Sequence, residues 1–135
     1  MRNAQATVLY QWFTEVWNNE NEGAIDQLMD ADAITDGVTG EAGSAGGEGF
    51  RIFYRDFRDK FSQIQVEVPD VIKQDDMEAA RCVVHATDKA SGQRVTFSGI
   101  CMVRVRDGKI TEAWNNFDFL SLYRQLGQEL AVLQS

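Results

Sequence analysis

Cysteine, histidine and proline are scarce in this chain of 135 residues, which has two cysteines, one histidine and one proline. The single histidine and the lack of a Cys-x-x-Cys pair argue against a zinc site, because zinc is usually held by several cysteine or histidine side chains. Cys82 and Cys101 are expected to be free thiols in a reducing cytosol. The sequence therefore predicts neither a metal ion nor another cofactor.

Positive charge is also in short supply, since 13 lysines and arginines stand against 21 aspartates and glutamates, for a formal net charge of −8. Nucleic acid and anionic membrane surfaces require basic patches on their partners, so we expect neither as a partner. No apolar run reaches the roughly 18 residues that a membrane-spanning helix needs. Residues 1–6 are not followed by the apolar core of a signal peptide, and we therefore expect a cytoplasmic protein.

Aromatic side chains, by contrast, are well represented, with three tryptophans, three tyrosines and eight phenylalanines in a chain that is 44% hydrophobic. Such a composition can build a sizeable core with an aromatic-lined interior. The length fits one folding unit, and no repeat or linker divides the sequence. We therefore predict a single domain over residues 1–135.

The first half of the chain predicts helices, because apolar residues recur there at helical spacing. Residues 4–18 and 23–30 form the first two. The glycine-rich residues 37–49 predict a flexible loop, which lacks the lysine of a phosphate-binding loop. A third helix is predicted over residues 48–62. Its apolar stripe consists of ring side chains at Phe50, Phe53, Tyr54, Phe57 and Phe61.

The second half predicts antiparallel strands separated by turn signals. Pro69 favours an edge strand or a bulge for the first of them. A short final helix is predicted over residues 119–126, closed by Gly127. Helices followed by a meander indicate an α+β fold with helices packed on one face of a curved sheet. The strands are predicted at residues 64–72, 78–88, 94–105 and 109–118, after a brief one at 33–35.

Strand alternation predicts which side chains of the central hairpin face the interior. A two-residue turn at Ser91-Gly92 pairs Cys82 with Cys101 and places an apolar set inward. The opposite face carries His85, the only histidine, which we expect to be exposed or at a subunit contact. The inward set consists of Ala80, Cys82, Val84, Ala86, Phe97, Gly99, Cys101 and Val103.

The next hairpin leaves two registers open. A three-residue turn at 106–108, with Gly108 at positive φ, places Thr111, Ala113, Asn115 and Phe117 inward. Trp114 then lies on the outer face, where we expect a dimer contact. A two-residue turn at Asp107-Gly108 instead turns Ile110, Glu112, Trp114, Asn116 and Asp118 inward, and the pattern alone does not decide between them.

Three segments of the chain resemble a known protein family. They are residues 49–58, residues 95–100 and above all residues 107–127, which contain Asp-Gly-Lys-Ile-Thr-Glu-Ala-Trp-Asn-Asn-Phe-Asp. The family that they resemble is that of the SnoaL-like polyketide cyclases. This family belongs to the nuclear transport factor 2-like superfamily, with ketosteroid isomerases and scytalone dehydratase. The resemblance covers nearly the whole chain. It implies a cone-shaped α+β barrel, an apolar internal pocket for a small ligand, and a homodimer formed through the outer face of the sheet.

Characterised cyclases of this family use a histidine and an aspartate on adjacent strands for acid–base chemistry. The resemblance places those two positions at Cys101 and Asn115, so this chain departs from the pattern at both. An aldol cyclase must remove a proton from carbon and stabilise an enolate. Because asparagine is no base and a buried cysteine is a poor one, we do not expect the parent reaction.

Two aspartates are candidates for the missing acid–base groups. Asp118 suits a general base at the pocket mouth, although its place before the final helix also suits a helix cap. Asp36 suits an acid at the pocket opening or a turn residue. The ligand-binding candidates are Asn115 and Cys101, with a cavity lining of Trp12, Trp17, Tyr54, Phe57 and Phe97.

Two functional hypotheses follow. The first is a small-molecule pocket protein of the SnoaL-like class that acts on an apolar carbonyl compound, as an isomerase, cyclase or hydrolase, with Asp118 or Asp36 as acid–base groups. The second is a non-catalytic ligand-binding or interaction module that has lost the catalytic pair. Loss of turnover in Asp118→Asn and Asp36→Asn variants would favour the first hypothesis.

Overall fold

A computed structural model of the chain describes residues 7–36 and 44–127. Within these residues, no helix combines the length and the apolar character needed to cross a bilayer. In chain order, the elements are α1 Val8–Gln11, a π-helix Trp12–Asn18, α2 Ala24–Leu28, β1 Met29–Asp36, β2 Ser44–Ala45, α3 Gly46–Lys60, β3 Phe61–Gln74, β4 Met77–Asp88, β5 Arg94–Arg106, β6 Lys109–Phe117 and α4 Phe119–Gln125.

The strands form one six-stranded sheet in the order β2-β1-β6-β5-β4-β3. β1 runs parallel to β6, and every other neighbouring pair is antiparallel. β3 lies at an edge, and its pairing with β4 shifts register between Glu67 and Asp70, on either side of Pro69. The predicted α+β fold is confirmed, and so is the edge-strand or bulge position of the proline.

The first helix is anchored at its N-terminus by side chains from two directions. The Thr7 hydroxyl accepts a hydrogen bond from the Tyr10 amide. The Glu78 carboxylate, fully buried on β4, accepts from the amides of Val8 at 3.3 Å and Leu9 at 2.8 Å. Orphan amides at a helix start need such acceptors. The predicted helix over 4–18 is confirmed from Val8 onward, and residues 4–6 lie outside the described structure.

Helix α3 begins at Gly46, two residues before the predicted start. Of the predicted glycine-rich loop, residues 37–43 lie outside the described structure, while residues 44–49 form β2 and the first turn of α3. Ion pairs fasten the polar face of α3: Glu22 accepts from Arg51 and Arg55, and Arg51 also bonds to Asp26. These ion pairs tie α3 to α2 and to the residues just before it.

The first long hairpin differs from its predicted turn. β4 ends at Asp88 and β5 begins at Arg94, so a longer connection replaces the two-residue turn, and Cys82 pairs with Gly99 instead of Cys101. The Asp88 carboxylate accepts from the Ser91 amide and hydroxyl, which stabilises this longer loop. Because the pairing shifts by two residues, the predicted inward face is preserved. Its members from Ala80 to Val103 are buried, apart from partly exposed Gly99.

The second hairpin combines the two predicted registers. Asp107 and Gly108 both have positive φ, at 52° and 77°, and form a two-residue turn that pairs Arg106 with Lys109. The register then shifts between Arg104 and Val105, so that Cys101 pairs with Asn115. This β-bulge places an extra residue, Thr111, in β6.

As a result of the bulge, Ile110 is buried beside the turn, while Ala113, Asn115 and Phe117 take the inward positions farther along β6. Trp114 lies on the outer face, opposite exposed Met102. The turn is thus the predicted two-residue turn, and the inward set beyond it is the one predicted for the three-residue turn.

Candidate functional site

An apolar cavity of about 60 Å³ lies between the helices and the inner face of the sheet. The π-helix and α3 supply one wall, and strands β3 to β6 supply the other. Asn115 is the one polar side chain among the described residues of the lining. The lining consists of Trp12, Phe13, Trp17, Phe50, Phe53, Phe57, Ile64, Val66, Val84, Phe97, Asn115, Phe117 and Phe119.

Buried rings in edge contact form much of the two walls of the cavity. Trp12 meets Phe50 with ring centroids 4.8 Å apart, and Trp17 meets Phe57 at 5.7 Å. Phe57 in turn contacts Phe97 across from α3, at 6.4 Å. Edge-to-face packing is a preferred arrangement of aromatic pairs. The cavity therefore offers aromatic surfaces to any molecule that enters it.

The mouth of the cavity is marked by its partly exposed lining residues: Phe53 of α3, Asn115 and Phe117 of β6, and Phe119 of α4. Phe119 lies 6.4 Å from both Phe53 and Phe117, measured between ring centroids. Gly99 makes room for this arrangement, because a Cβ at that position would lie 2.6 Å from the Phe117 ring. A ligand entering from solvent must pass these side chains.

Helix α4 is held over the sheet by a glutamine. Gln125 accepts from the Thr96 amide at 3.0 Å and donates to the Thr96 carbonyl at 2.7 Å. The side-chain amide thus occupies the place beside β5 that a longer β6 would fill. Asp118 caps the same helix by accepting from the Ser121 amide at 3.0 Å, which matches its predicted structural role.

Asn115 is oriented by β1. Its Nδ2 donates to the backbone carbonyl of Asp36 at 2.9 Å. Asp36 is the last residue of β1 and pairs with Trp114, the neighbour of Asn115. Asp36 is therefore next to the polar side chain of the cavity through its backbone, while its side chain lies on the Trp114 face of the sheet. Asp118 faces an external depression with Leu120 and Arg124.

Tyr54 and Cys101, two predicted ligand contacts, lie behind the lining. The Tyr54 ring packs against Trp17 at 4.9 Å, and its hydroxyl donates to the Val16 carbonyl at 2.8 Å. Cys101 is buried beside Asn115 on the adjacent strand. Burial raises the pKa of the Cys101 thiol far above its ordinary value, so the thiol stays protonated. Their ligand-binding roles stay predictions.

The other predicted lining residues, Trp12, Trp17, Phe57 and Phe97, do border the cavity. The lining also includes Phe13 and Phe119, which were not among the predicted ligand contacts. The sequence could have indicated both residues: Phe13 belongs to the apolar stripe of the first helix, and Phe119 is the aromatic residue directly after the Asp118 cap. Within the described residues, no group of three or more His, Cys, Asp and Glu side chains is placed to hold a metal ion.

His85 lies on the outer face of the sheet, as predicted, and belongs to a polar group separate from the cavity. Its Nδ1 is 2.9 Å from the Thr96 hydroxyl, and its Nε2 is 3.1 Å from a Glu67 carboxylate oxygen. The Glu67 side chain is 63% exposed. The histidine therefore has no access to a ligand in the cavity.

Comparison with known proteins gives a consistent result. The family model of SnoaL-like polyketide cyclases matches residues 7–126. The solved structure of IdmH, a putative polyketide cyclase from Streptomyces antibioticus, is 24% identical, covers 93% of this chain and 100% of its own, and superposes with a TM-score of 0.81.

Two further solved structures are each 22% identical, cover 94% of this chain and 98% of their own, and have a TM-score of 0.79. They are TsrD from Streptomyces laurentii and AclR, a putative hydroxylase from Streptomyces galilaeus. At this level of identity the likeness shows the fold, which hosts more than one activity. No curated protein matches the chain in sequence.

Proposed function

Because the chain belongs to the SnoaL-like polyketide cyclase family, we propose that it binds a flat, apolar small molecule in the aromatic cavity. The observation that carries the proposal is the composition of the lining, in which Asn115 is the one polar side chain among the described residues. Apolar walls with one or a few polar groups are typical of small-molecule sites. Among the described residues, no acidic or basic side chain lines this cavity, which favours ligand binding over acid–base chemistry.

The size of the cavity sets a condition on binding. Pockets for ligands of drug size usually hold roughly 300–1,000 Å³, whereas this cavity holds about 60 Å³. Binding therefore requires the mouth to open. The partly exposed rings of Phe53, Phe117 and Phe119 are the side chains that we expect to move, because the other rings of the lining are buried.

Calorimetric titration with naphthalene tests the proposal, because this probe is planar and has no hydrogen-bonding group. We expect saturable binding to the unmodified chain and its loss in Val84→Phe, which fills the cavity from β4. Val83→Phe is the matched control, since Val83 is the adjacent residue and lies on the opposite face of the sheet. Equal binding to both variants, with circular dichroism showing intact folds, would place the binding site elsewhere and refute the proposal.

An acid–base enzyme acting on an apolar carbonyl compound is the second candidate. It is favoured by the position of Asp36, whose backbone carbonyl is bonded to Asn115 at the cavity. Because Asp36 pairs with Trp114 on the outer face, its carboxylate must turn around the end of β1 to act as a general base next to a ligand carbonyl group. Asp118, the other proposed acid–base residue, already accepts a hydrogen bond as the cap of α4.

Hydrogen–deuterium exchange of 2-tetralone, followed by NMR in D₂O, tests this second candidate. An enzyme of this kind accelerates exchange at the carbon next to the carbonyl group. We expect Asp36→Asn to abolish that acceleration, with Asp118→Asn as the comparison at the other carboxylate. An unmodified protein that binds the ketone and leaves the exchange rate at its buffer value would rule out proton abstraction and leave the binding function.

We further propose a homodimer formed through the outer face of the sheet. An apolar row crosses four neighbouring strands there, through the successive pairs Ile72–Ala79, Ala79–Met102 and Met102–Trp114. Ile72 is 70% exposed and Met102 41% exposed, which is costly unless a partner covers them. Sedimentation is expected to show a dimer that Met102→Lys converts to a monomer, and a monomeric unmodified protein would contradict the proposal. We also propose a cytoplasmic location, which cell fractionation would test.

A further inference from the structure

We propose that Asn115 makes the cavity select ligands that carry a hydrogen-bond donor, such as a phenolic or enolic hydroxyl, which its Oδ1 accepts. This inference rests on the proposed function, since it concerns the ligand of that same cavity. It reverses the simplest expectation for an asparagine in such a pocket, namely that its NH₂ group donates to a ligand carbonyl. The reason lies in the hydrogen bond between Asn115 and β1.

The chemistry of the partner fixes the orientation of the Asn115 amide. The side-chain nitrogen lies 2.9 Å from the backbone oxygen of Asp36, and a backbone carbonyl can only accept a hydrogen bond. The NH₂ group must therefore face β1, because the reverse orientation would bring two acceptors together. One of the two N–H donors is thereby used by Asp36, and because the amide is planar, with oxygen and nitrogen on opposite sides, Oδ1 is turned away from β1.

The surroundings of Asn115 make that oxygen decisive for selectivity. Its neighbours in the lining on β5 and β6 are the rings of Phe97 and Phe117, which offer no strong hydrogen-bonding group. A ligand hydroxyl held among these rings would find its acceptor at Oδ1. A ligand of the same shape without a donor would cover Oδ1 and leave it unpaired, which weakens binding. Sites built to bond a substrate hydroxyl discriminate strongly against analogues that lack it.

Paired probes test the inference. 2-Naphthol and 2-methoxynaphthalene share the same ring system, but only the first has a hydroxyl donor. We expect calorimetric titration of the unmodified chain to show about tenfold tighter binding of 2-naphthol, which corresponds to about 1.4 kcal/mol. Asn115→Leu replaces the amide by an apolar group of similar size and is expected to remove most of this preference.

Two further variants complete the design. Asn116→Leu is the matched control, because it makes the same substitution at the next residue, which is exposed on the outer face, and it should keep the tenfold ratio. Asn115→Ala removes the amide without adding bulk and serves if the leucine variant does not fold. Using the ratio of two affinities within each variant cancels changes in cavity shape that affect both probes equally.

The outcomes separate this inference from the proposed function. Binding of both probes with equal affinity to the unmodified chain overturns the donor selectivity and leaves the cavity as the binding site. A preference for 2-naphthol that persists in Asn115→Leu or Asn115→Ala also overturns it, because the donor is then recognised by another group. If neither probe nor naphthalene binds, the proposed function itself fails.

Discussion

Replacing Glu78 by glutamine tests the idea that one buried carboxylate anchors the helical wall of the cavity to the sheet. Glu78 is 1% exposed on β4, and its two oxygens accept from the amides of Val8 and Leu9. Those amides begin the helical segment that carries Trp12 and Trp17 into the cavity. In Glu78→Gln the amide oxygen can keep one of the two bonds, while the amide NH₂ faces the other N–H.

The expected cost follows from these contacts. A hydrogen bond to a charged group contributes about 1.5–3 kcal/mol, a neutral one about 1 kcal/mol, and an unpaired buried donor costs about 1–3 kcal/mol. The bond to Leu9 at 2.8 Å becomes neutral, and the longer bond to Val8 at 3.3 Å is lost. We therefore expect the free energy of unfolding to fall by about 2 kcal/mol, which lowers the melting temperature of a domain of this size by about 8 °C.

Urea unfolding and amide hydrogen exchange measure the two parts of this effect. The urea midpoint should fall in Glu78→Gln without a change in slope. The Val8 amide, which loses its acceptor, should exchange faster than in the unmodified protein. Glu67→Gln is the control, because Glu67 is a largely exposed glutamate for which we expect less than about 0.5 kcal/mol. Equal stability of the two variants would show that the buried carboxylate is not an anchor.

Two further predictions follow from the pKa shifts of other groups. Burial raises the pKa of Cys82 to about 12 and raises that of Cys101 as well, so both thiols should resist 5,5′-dithiobis(2-nitrobenzoic acid) at pH 8 until the protein unfolds; fast reaction in the native state would contradict this. Hydrogen bonds from Arg55 and Arg51 hold the pKa of Glu22 below its ordinary value of 4.5, so its contribution to stability is present above that pH and lost below it. Glu22→Gln should therefore flatten the acid limb of a stability–pH profile, and an unchanged limb would disprove the coupling.

Hydrophobic periodicity predicted most of the fold because burial on one face is a local property of the sequence. The stripe that includes Leu9 and Val16 indicated a helix, and alternation from Ala80 to Val103 indicated the inward face of two strands. The turn at Ser91-Gly92 was wrong because the same residues suit several loop lengths. The Asp88 side chain stabilises the longer loop, and such a contact has no signature in the strand pattern.

The candidate site was harder to predict because its defining contacts are distant in sequence. The Asn115 side chain bonds to Asp36, 79 positions away, and Glu78 bonds to Leu9, 69 positions away. Composition and spacing describe neighbours along the chain, so they predict an aromatic lining but not the partner of a single amide. Cys101 illustrates the same limit, because its inward direction was predicted correctly and yet the side chain lies behind the lining.

The bulge in β6 shows how one extra residue determines the chemistry of the cavity. With the register of the Asp107-Gly108 turn continued unchanged, Cys101 would pair with Trp114, whose indole would then face the interior. Asn115 would lie on the outer face, without access to the cavity. The extra residue, Thr111, reverses this, and the Thr111 hydroxyl donates to the Arg104 carbonyl at 3.3 Å where the register shifts. The polar group of the cavity thus depends on a backbone irregularity, since the same side chains in a regular ladder would line the cavity with an indole and leave the amide outside.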